Sequence, residues 1–407
     1  MIFKRIFFAK KLVKLYLFIK TNLFRLIYIP FAQKRTIIFH NNFGDLIHIV
    51  KASSVERTYV TKIYNFTPNG SIDYFYPEIS VRKYTNTKIF GDSDFIILNE
   101  GAIWTKYFMY QWAKLIPLDQ SLLKVKNGIL YFKNRKIKYV LDHCISLCGV
   151  HCDVWAHFLL QYLPKIYEVK NILSKIDQCI TIILPVYKDE HVRYIVYDYL
   201  SKIDNIKIIE IDKDDAIFCK NFYFLDNSSF LADNGTYSNP SDVIIPLITM
   251  EKLRINLVEK YISQFGFNQK KPFRKIFIGR KGNRSMLNND EIEVYFKKEN
   301  YEIIYPHLLS FEQKVKIFYE SSIIVGPGSS GFLNLIFCQP HTKLLLFTNY
   351  QRISDNGLSS LATYFKLNLL TVIGKDNDNS IHSSYSIPLK TIKSALKDLQ
   401  LNVKSHV

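Results

Sequence analysis

Residues 323–337 read IIVGPGSSGFLNLIF, and this segment carries the clearest fold signal in the second half of the chain. Ile323–Val325 is a short apolar run that predicts a buried strand, and Phe332–Phe337 predicts a helix. The turn between them, Gly326-Pro-Gly-Ser-Ser-Gly331, is rich in glycine and serine. A strand, a glycine-rich turn and a helix in this order are typical of a nucleotide-binding Rossmann-like domain.

The same alternation of strands and helices extends on both sides of this stretch. Ser310-Phe-Glu-Gln313 has the pattern of a capping box, which begins a helix that continues to Tyr319. Because strands alternate with helices, we expect βαβ units and a largely parallel sheet. Residues 247–265 have helical spacing, and we place a domain boundary near 245–270. The other predicted elements are strands at Thr36–Phe39, Phe95–Leu98, Tyr139–Leu141, Thr181–Leu184, Lys207–Ile211, Lys275–Gly279, Tyr301–Ile304 and Lys343–Phe347, and helices at Asp290–Lys298 and roughly Leu389–Leu401.

Composition and charge exclude several classes of protein. Of 407 residues, 48% are apolar and 22% are charged, which excludes a disordered or fibrous chain. The formal net charge is +18, and residues 1–35 hold nine basic residues and no acidic one. The remainder of the chain is only mildly basic, which argues against a dedicated nucleic-acid-binding protein.

The N-terminal segment Met1–Ile29 is rich in Phe, Leu and Ile but is interrupted by cations. Its longest uncharged run, Leu26–Gln33, has eight residues, whereas a transmembrane helix needs about 20. No cleavage site with small residues follows, so we do not expect a secretory signal. We predict an amphipathic helix that lies on an anionic membrane surface. The alternative is a helix packed on the protein's own core.

Six cysteines occur, and three of them form the run Cys144, Cys148 and Cys152 beside His143 and His151. The spacing of this run lacks the second pair of ligands that a zinc ribbon or finger needs. We therefore predict free, buried thiols and no metal site.

The predicted chemistry lies in the second half of the chain. A glycine-rich turn that opens a helix presents free N–H groups and the positive end of the helix dipole, which suits a diphosphate. Arg280, Lys281 and Arg284 follow the strand Lys275–Gly279, and the carboxyl ends of neighbouring parallel strands meet at one crevice. These cations are expected to neutralise a leaving diphosphate without a metal ion. The alternative is a solvated loop.

Two blocks of the sequence resemble glycosyltransferase family 61, and the resemblance covers about residues 140–375. The first block is His157-Phe-Leu-Leu-Gln-Tyr-Leu-Pro-Lys-Ile166. The second runs from Arg274-Lys-Ile-Phe-Ile-Gly-Arg-Lys281 through Leu309-Ser-Phe-Glu-Gln313 and Val325-Gly-Pro327 to Asn334-Leu-Ile-Phe-Cys338.

The resemblance implies a GT-B-like α/β fold, in which two Rossmann-like domains face a cleft, here preceded by the amphipathic N-terminal helix. It implies inverting, metal-independent transfer of a sugar from a nucleotide-sugar donor to a glycan or lipid-linked glycan, without a cofactor, in capsule or lipopolysaccharide synthesis. We expect the protein at the cytoplasmic face of the plasma membrane. The expected segments are a membrane-surface segment (1–35), an acceptor domain (36–250), a nucleotide-sugar domain (251–385) and a C-terminal helix that packs back (386–407). The expected donor diphosphate site comprises Arg280, Lys281, Arg284, Gly328, Ser329, Ser330, Gly331 and Asn334.

Inverting transfer needs a base that takes a proton from the acceptor hydroxyl. His157 is the first candidate, since it holds the family's histidine position and a histidine side chain ordinarily titrates near neutrality. Asp153 is expected to orient His157 or to act as the base itself, and Glu168 is a weaker candidate. The alternative for His157 is a core histidine that orients its helix.

Departures from the family pattern keep two other functions open. Gln161 replaces an acidic residue, and Leu346 replaces a glutamate that is a candidate for holding ribose hydroxyls. These changes suggest a catalytically degenerate, membrane-associated scaffold of a polysaccharide-assembly complex as one alternative. Asn42-Phe-Gly-Asp45 resembles a turn of polysaccharide pyruvyltransferases, which gives the other alternative; it also fits a plain strand-to-helix turn.

Overall fold

The computed structural model shows a mixed α/β protein, as the sequence predicts, and it contains two large sheets. The predicted membrane-surface helix, Met1–Ile29, lies outside the described residues. The structure describes residues 33–38, 45–51, 54–59, 63–65, 71–76, 78–104, 121–126, 129–231, 243–259, 262–263, 271–280, 286–352, 357–376 and 383–401.

The first large sheet has eleven strands in the order β12-β11-β10-β13-β5-β6-β7-β1-β9-β8, and β2 also pairs with β5. Two small two-stranded sheets, β3-β4 and β14-β15, accompany it. The strands are β1 (Gln33–Ile38), β2 (Asp45–Lys51), β3 (Ser54–Tyr59), β4 (Ser71–Tyr76), β5 (Ile79–Phe90), β6 (Phe95–Ile97), β7 (Ala102–Trp104), β8 (Leu122–Lys126), β9 (Ile129–Phe132), β10 (Ile137–Ser146), β11 (Ile180–Pro185), β12 (Ile206–Ile211), β13 (Ala216–Leu225), β14 (Phe230–Leu231) and β15 (Val243–Ile244).

The prediction of a largely parallel sheet is wrong for this half of the chain. Strands β10 to β13 form a parallel group and β1 pairs parallel with β7, whereas β5 pairs antiparallel with β2, β6 and β13. Short connections such as the one from β5 to β6 explain the difference, because a parallel pair needs a crossover of a dozen or more residues. Within the parallel group, helices do connect β10 to β11 and β11 to β12, as in a βαβ unit.

The second large sheet has the order β17-β16-β18-β19-β20-β21, and its first five strands are parallel. Chain order therefore reverses at β16, which has β17 on one side and β18 on the other. In doubly wound sheets, ligands bind at the carboxyl ends of the strands at such a switch point. The strands are β16 (Arg274–Ile278), β17 (Glu302–Ile304), β18 (Ser321–Pro327), β19 (Lys343–Asn349), β20 (Asn368–Asp376) and β21 (Tyr385–Ser386).

Seven helices are described, and two of them contain π-helical segments. The helix α1 (155–173) consists of Trp155–His157, the π-helical Phe158–Tyr162 and Leu163–Leu173, and α3 (247–259) consists of Leu247–Leu253 and the π-helical Arg254–Glu259. The remaining helices are α2 (Glu190–Leu200), α4 (Asn289–Lys298), α5 (Phe311–Tyr319), α6 (Gly357–Tyr364) and α7 (Leu389–Leu401), with 3₁₀ turns at Pro306–Leu308, Ser330–Phe337 and Tyr350–Arg352.

The predicted helix after the glycine-rich turn is a 3₁₀ helix, Ser330–Phe337, rather than an α-helix. All of the residues Phe332–Phe337 are buried, so this helix packs against the protein on every side. It therefore has no single apolar face with the spacing that favours an α-helix. The capping box of α5 is confirmed, because Ser310 accepts from the Gln313 N–H and the Gln313 side chain accepts from the Ser310 N–H.

One hydrophobic core joins the two halves of the described chain. It includes Phe158 and Leu163 of α1 as well as Phe311 of α5 and Phe332 of the 3₁₀ helix. The ring centroids of Trp155 and Phe311 lie 6.5 Å apart. The C-terminal helix α7 packs on β19 and β20 of the second sheet. The division of the chain into four segments stays a prediction.

Candidate active site

A cleft with a volume of about 330 Å³ opens at the switch point of the second sheet. Several of its residues follow β16 and β18, at the carboxyl ends of these strands. Others come from the start of α1 and from the loop between β11 and α2 in the first half of the chain. The lining residues are Trp155, Asp189, Gly279, Arg280, Pro306, His307, Lys314, Ser329, Ser330, Gly331 and Asn334.

Arg280 reaches the cleft from the end of β16. The Gly279 N–H donates to the Ile304 carbonyl at 2.7 Å, which extends the pairing of β16 with β17. The Arg280 Nη1 atom donates to the Gly328 carbonyl at 3.1 Å. This bond holds a half-buried guanidinium beside the glycine-rich turn. The other two predicted cations, Lys281 and Arg284, lie outside the described residues.

The path of the glycine-rich turn requires Gly326. Its φ is +153°, and an added Cβ would lie 2.7 Å from the Ile278 carbonyl oxygen. The Gly328 N–H donates to the Phe347 carbonyl at 2.7 Å, so this N–H is already paired. Gly328 therefore shapes the turn and positions Arg280 through its carbonyl.

The first turn of the 3₁₀ helix supplies the N–H donors of the cleft. Ser329 is the N-cap residue, and the N–H groups of Ser330 and Gly331, which open the helix, have no acceptor within it. Asn334 is 1% exposed, and its Nδ2 donates to the Gly331 carbonyl at 2.8 Å. In the described part of the chain, the Asn334 Oδ1 atom has no hydrogen-bond partner. Asn334 therefore closes the turn and holds a buried acceptor beside the cleft.

Six lining residues are absent from the sequence-based prediction. Two of them are Gly279 and Pro306, and the other four bring aromatic or ionisable side chains to the cleft: Trp155, Asp189, His307 and Lys314. Lys314 did carry a sequence signal, since it lies at helical spacing with the buried residues Phe311 and Phe318. A lysine on the apolar face of an amphipathic helix is unusual unless a partner or ligand compensates its charge. The other three are brought to the cleft by contacts that are remote in sequence.

The electrostatics of the cleft depend on how deeply Lys314 is buried. Lys314 is 4% exposed, and its Nζ atom lies 5.0 Å from the centroid of the Trp155 ring. Burial lowers the pKa of Lys314, and the Asp189 carboxylate opposes this effect. Asp189 is also the N-cap of α2, where it accepts from the N–H groups of His191 at 2.9 Å and Val192 at 3.3 Å. Arg280 and Lys314 thus place two cationic side chains and Asp189 one carboxylate in the same cleft.

His157 lies on α1 and is not among the residues that line this cleft. Its Nδ1 atom is 2.8 Å from Gln161 Oε1, and Gln161 Nε2 donates to the Ser229 carbonyl at 3.3 Å. Because the Ser229 carbonyl needs a donor, the Gln161 amide oxygen faces His157, which then donates from Nδ1. The Nε2 atom of the neutral ring therefore carries the lone pair. The His151 ring lies beside it, with ring centroids 5.1 Å apart.

The two other predicted acid–base residues have partners of their own. Asp153 forms an ion pair with Lys213 at 3.6 Å. Glu168 is buried, pairs with Lys252 of α3 and accepts from Asn171 Nδ2 at 2.9 Å. These contacts give Glu168 a structural role in joining α1 to α3.

Gln161 and Leu346, the two departures from the family pattern that keep the alternative functions open, are both buried. Gln161 is 0% exposed and holds His157 in place. Leu346 lies on β19 beneath the glycine-rich turn, where its Cδ1 atom would be 3.5 Å from a Cβ added at Gly328. Of the motif Asn42-Phe-Gly-Asp45, only Asp45 is described, and it begins the strand β2 rather than preceding a helix.

All six cysteines are free thiols. Burial raises the pKa of Cys144 and Cys148, and it raises that of Cys152 to about 12. Among the described residues, no cluster of three His, Cys, Asp or Glu side chains is placed to hold a metal ion. Metal independence stays a prediction.

The doubly wound sheet and the cationic cleft at its switch point define an α/β protein with a site suited to a phosphorylated ligand. Residues 155–345 match the model of the family described as Glycosyltransferase 61, and every residue that lines the cleft falls within this segment. The match supports a glycosyltransferase, and with it a nucleotide-sugar donor and a glycan acceptor. No curated protein matches the chain. Over the ranges that the structure describes, no helix is both long and apolar enough to cross a membrane.

Proposed function

We propose that the protein is an inverting, metal-independent glycosyltransferase that moves a sugar from a nucleotide-sugar donor to a glycan acceptor. The observation that carries the proposal is the position of Arg280 and the glycine-rich turn at the switch point, inside the segment that matches the family. The two sheets would correspond to the two domains of a GT-B fold, with the donor bound at the carboxyl ends of the second sheet's strands.

The donor diphosphate would bind where several donors converge. The Arg280 guanidinium and the N–H groups of Ser330 and Gly331 face a growing negative charge when the bond from the sugar to the diphosphate breaks. Preorganised donors of this kind stabilise such charge strongly, because they need no reorganisation during the reaction. Ser329 adds a hydroxyl and Asn334 an amide, while Lys281 and Arg284 remain predicted members of this site.

His157 would act as the base. Its Nδ1 hydrogen bond to Gln161 orients the imidazole, and Nε2 would take the proton of the acceptor hydroxyl. Inversion requires the acceptor to attack from the side of the sugar opposite the diphosphate. His157 would therefore act at an acceptor site that meets the donor cleft. Asp153, which lies just before the start of α1, would orient His157.

The setting that we propose is surface polysaccharide synthesis, either capsule or lipopolysaccharide. The segment Met1–Ile29, with its many cations and no acidic residue, would hold the protein on the inner face of the plasma membrane. A lipid-linked glycan would then reach the site from the membrane surface.

A ligand panel tests this function. The purified protein is melted in the presence of UDP, GDP, CMP, their sugars and phosphoenolpyruvate, with EDTA and with Mg²⁺. A ligand at 100 times its Kd adds about 2.7 kcal/mol to the free energy of unfolding, which raises the Tm visibly. We expect stabilisation by one nucleotide and its sugar that EDTA leaves unchanged. Stabilisation by phosphoenolpyruvate alone would indicate pyruvyl transfer, and a well-folded protein that no ligand stabilises would indicate the degenerate scaffold.

A further inference from the structure

Lys314 is a buried cation that lines the cleft. Its side chain lies over the Trp155 ring, with Nζ 5.0 Å from the ring centroid. Within the described part of the chain, the ammonium forms no ion pair or hydrogen bond. The carboxylate that acts on it, Asp189, is already the N-cap of α2.

A buried ammonium without a counter-ion is costly, because it loses hydration that the ring of an aromatic side chain replaces only in part. Apolar residues of the same helix, Phe311 and Phe318, fill their buried positions without this cost. The cost is recovered when an anion enters the cleft and pairs with the ammonium. A buried, unpaired cation in a cleft is therefore a mark of an anion-binding site.

We infer that Lys314 is the second cation that neutralises the donor diphosphate, together with Arg280, from its position over the Trp155 ring. The inference rests on the proposed function and adds a specific residue from α5 to the donor site. Arg280, Lys314 and Asp189 all line the cleft, together with His307. Arg280 and Lys314 bring two positive charges there against the one negative charge of Asp189. A nucleoside diphosphate therefore enters a cleft with a net attraction for it.

A pH dependence follows from the burial of Lys314. Burial lowers the pKa of Lys314 in the empty cleft, against the effect of Asp189, whereas a bound diphosphate raises it. The diphosphate binds the protonated form, so the affinity falls as pH rises above the pKa of the empty cleft. Arginine stays protonated throughout this range. Lys314→Arg is therefore expected to bind with an affinity that is flatter in pH.

The experiment titrates inorganic pyrophosphate, the nucleoside diphosphate that the panel identifies, and the matching nucleoside into the full-length protein by calorimetry at several pH values. Lys314→Met keeps the apolar stem and removes the charge, so it tests the charge without leaving a cavity. Lys316→Met is the matched control, since Lys316 is exposed on the same helix. Thermal melts of every variant confirm that it is folded.

We expect Lys314→Met to weaken pyrophosphate and nucleoside diphosphate binding at least tenfold, to leave nucleoside binding unchanged and to remove the alkaline loss of affinity. Lys316→Met should behave as the wild type. Diphosphate binding by Lys314→Met with wild-type affinity and pH dependence would overturn the inference and leave the proposed function standing. A wild-type protein that binds neither pyrophosphate nor any nucleoside diphosphate would contradict both.

Discussion

The Nδ1 atom of His157 lies 2.8 Å from the Oε1 atom of Gln161, so the two side chains are hydrogen-bonded along one face of α1. Gln161 in turn donates to the Ser229 carbonyl, which fixes the direction of its amide. A neutral amide thus orients the imidazole where the family resemblance implies an acidic residue. In the proposed mechanism, Nε2 of the neutral ring is then the atom that accepts the proton.

His157→Ala is expected to lower kcat about 10²–10⁴-fold, which is the usual contribution of a positioned general base. Donor affinity should stay unchanged, because His157 does not line the donor cleft. Turnover assays and nucleotide titrations of the same preparation measure both quantities. His143→Ala, which removes another partly buried imidazole, is the control. Unchanged turnover in His157→Ala would exclude the base role.

Gln161→Leu tests the hydrogen bond from His157 Nδ1 to Gln161, which orients the imidazole. The variant keeps the volume of the side chain but removes the acceptor of the Nδ1 proton. We expect a smaller loss of kcat than in His157→Ala, again without a change in donor affinity.

Gly326→Ala and Gly328→Ala form a matched pair in the glycine-rich turn. An added Cβ at Gly326 meets the Ile278 carbonyl oxygen at 2.7 Å and requires a φ of +153°, whereas at Gly328 the nearest atom is 3.4 Å away. We expect Gly326→Ala to lose about 1–3 kcal/mol of stability or more, as for other strained backbone positions. Gly328→Ala should fold normally. Denaturant titrations measure the free energy of unfolding of each variant. Equal values would show that the backbone of the turn can rearrange around an alanine at position 326.

Ser310→Ala removes the capping box of α5, the helix that carries Lys314. Losing a Ser N-cap costs about 0.5–2 kcal/mol. We expect the free energy of unfolding to fall by about this amount, while donor affinity changes little because the Lys314 side chain packs against the Trp155 ring. Ser310→Asp, which keeps an acceptor at the N-cap, should recover most of the loss. A large change in donor affinity would mean that the cap positions the cleft itself.

Lys314→Met is expected to be more stable than the wild type at neutral pH. The lowered pKa of Lys314 means that the folded state holds fewer protons than the unfolded state between the two pKa values, so wild-type stability rises with pH there. The variant lacks this titration, and its advantage should shrink as pH approaches the ordinary pKa of lysine. Urea titrations at pH 7 and at alkaline pH measure the difference. An advantage that grows with pH would contradict the assignment.

The second half of the fold was predictable because local patterns decide it. The capping box at Ser310, the strand at Lys343 and the helix Leu389–Leu401 each follow from residues adjacent in sequence. The antiparallel pairing of β5 was not predictable in this way, since its partners come from distant parts of the chain.

The same distinction applies to the site. Arg280 and the glycine-rich turn were predictable, because parallel strands bring their carboxyl ends together. The contact of Lys314 with Trp155 was not, because it joins a helix of each half through a shared core. Asp189 is identifiable from sequence only as a helix cap, and its place in the cleft depends on how the two halves pack.

A donor site at the switch point is tested by the affinity of a nucleoside diphosphate for the wild type and for Arg280→Ala. Hydrogen bonds to charged groups contribute about 1.5–3 kcal/mol, and about 1.4 kcal/mol corresponds to a tenfold change in affinity. Calorimetry should therefore show binding to the wild type and at least about tenfold weaker binding to Arg280→Ala. Arg193→Ala, which removes an exposed arginine of α2, should bind as the wild type does. Equal affinities for the wild type and Arg280→Ala would contradict a donor site at the switch point.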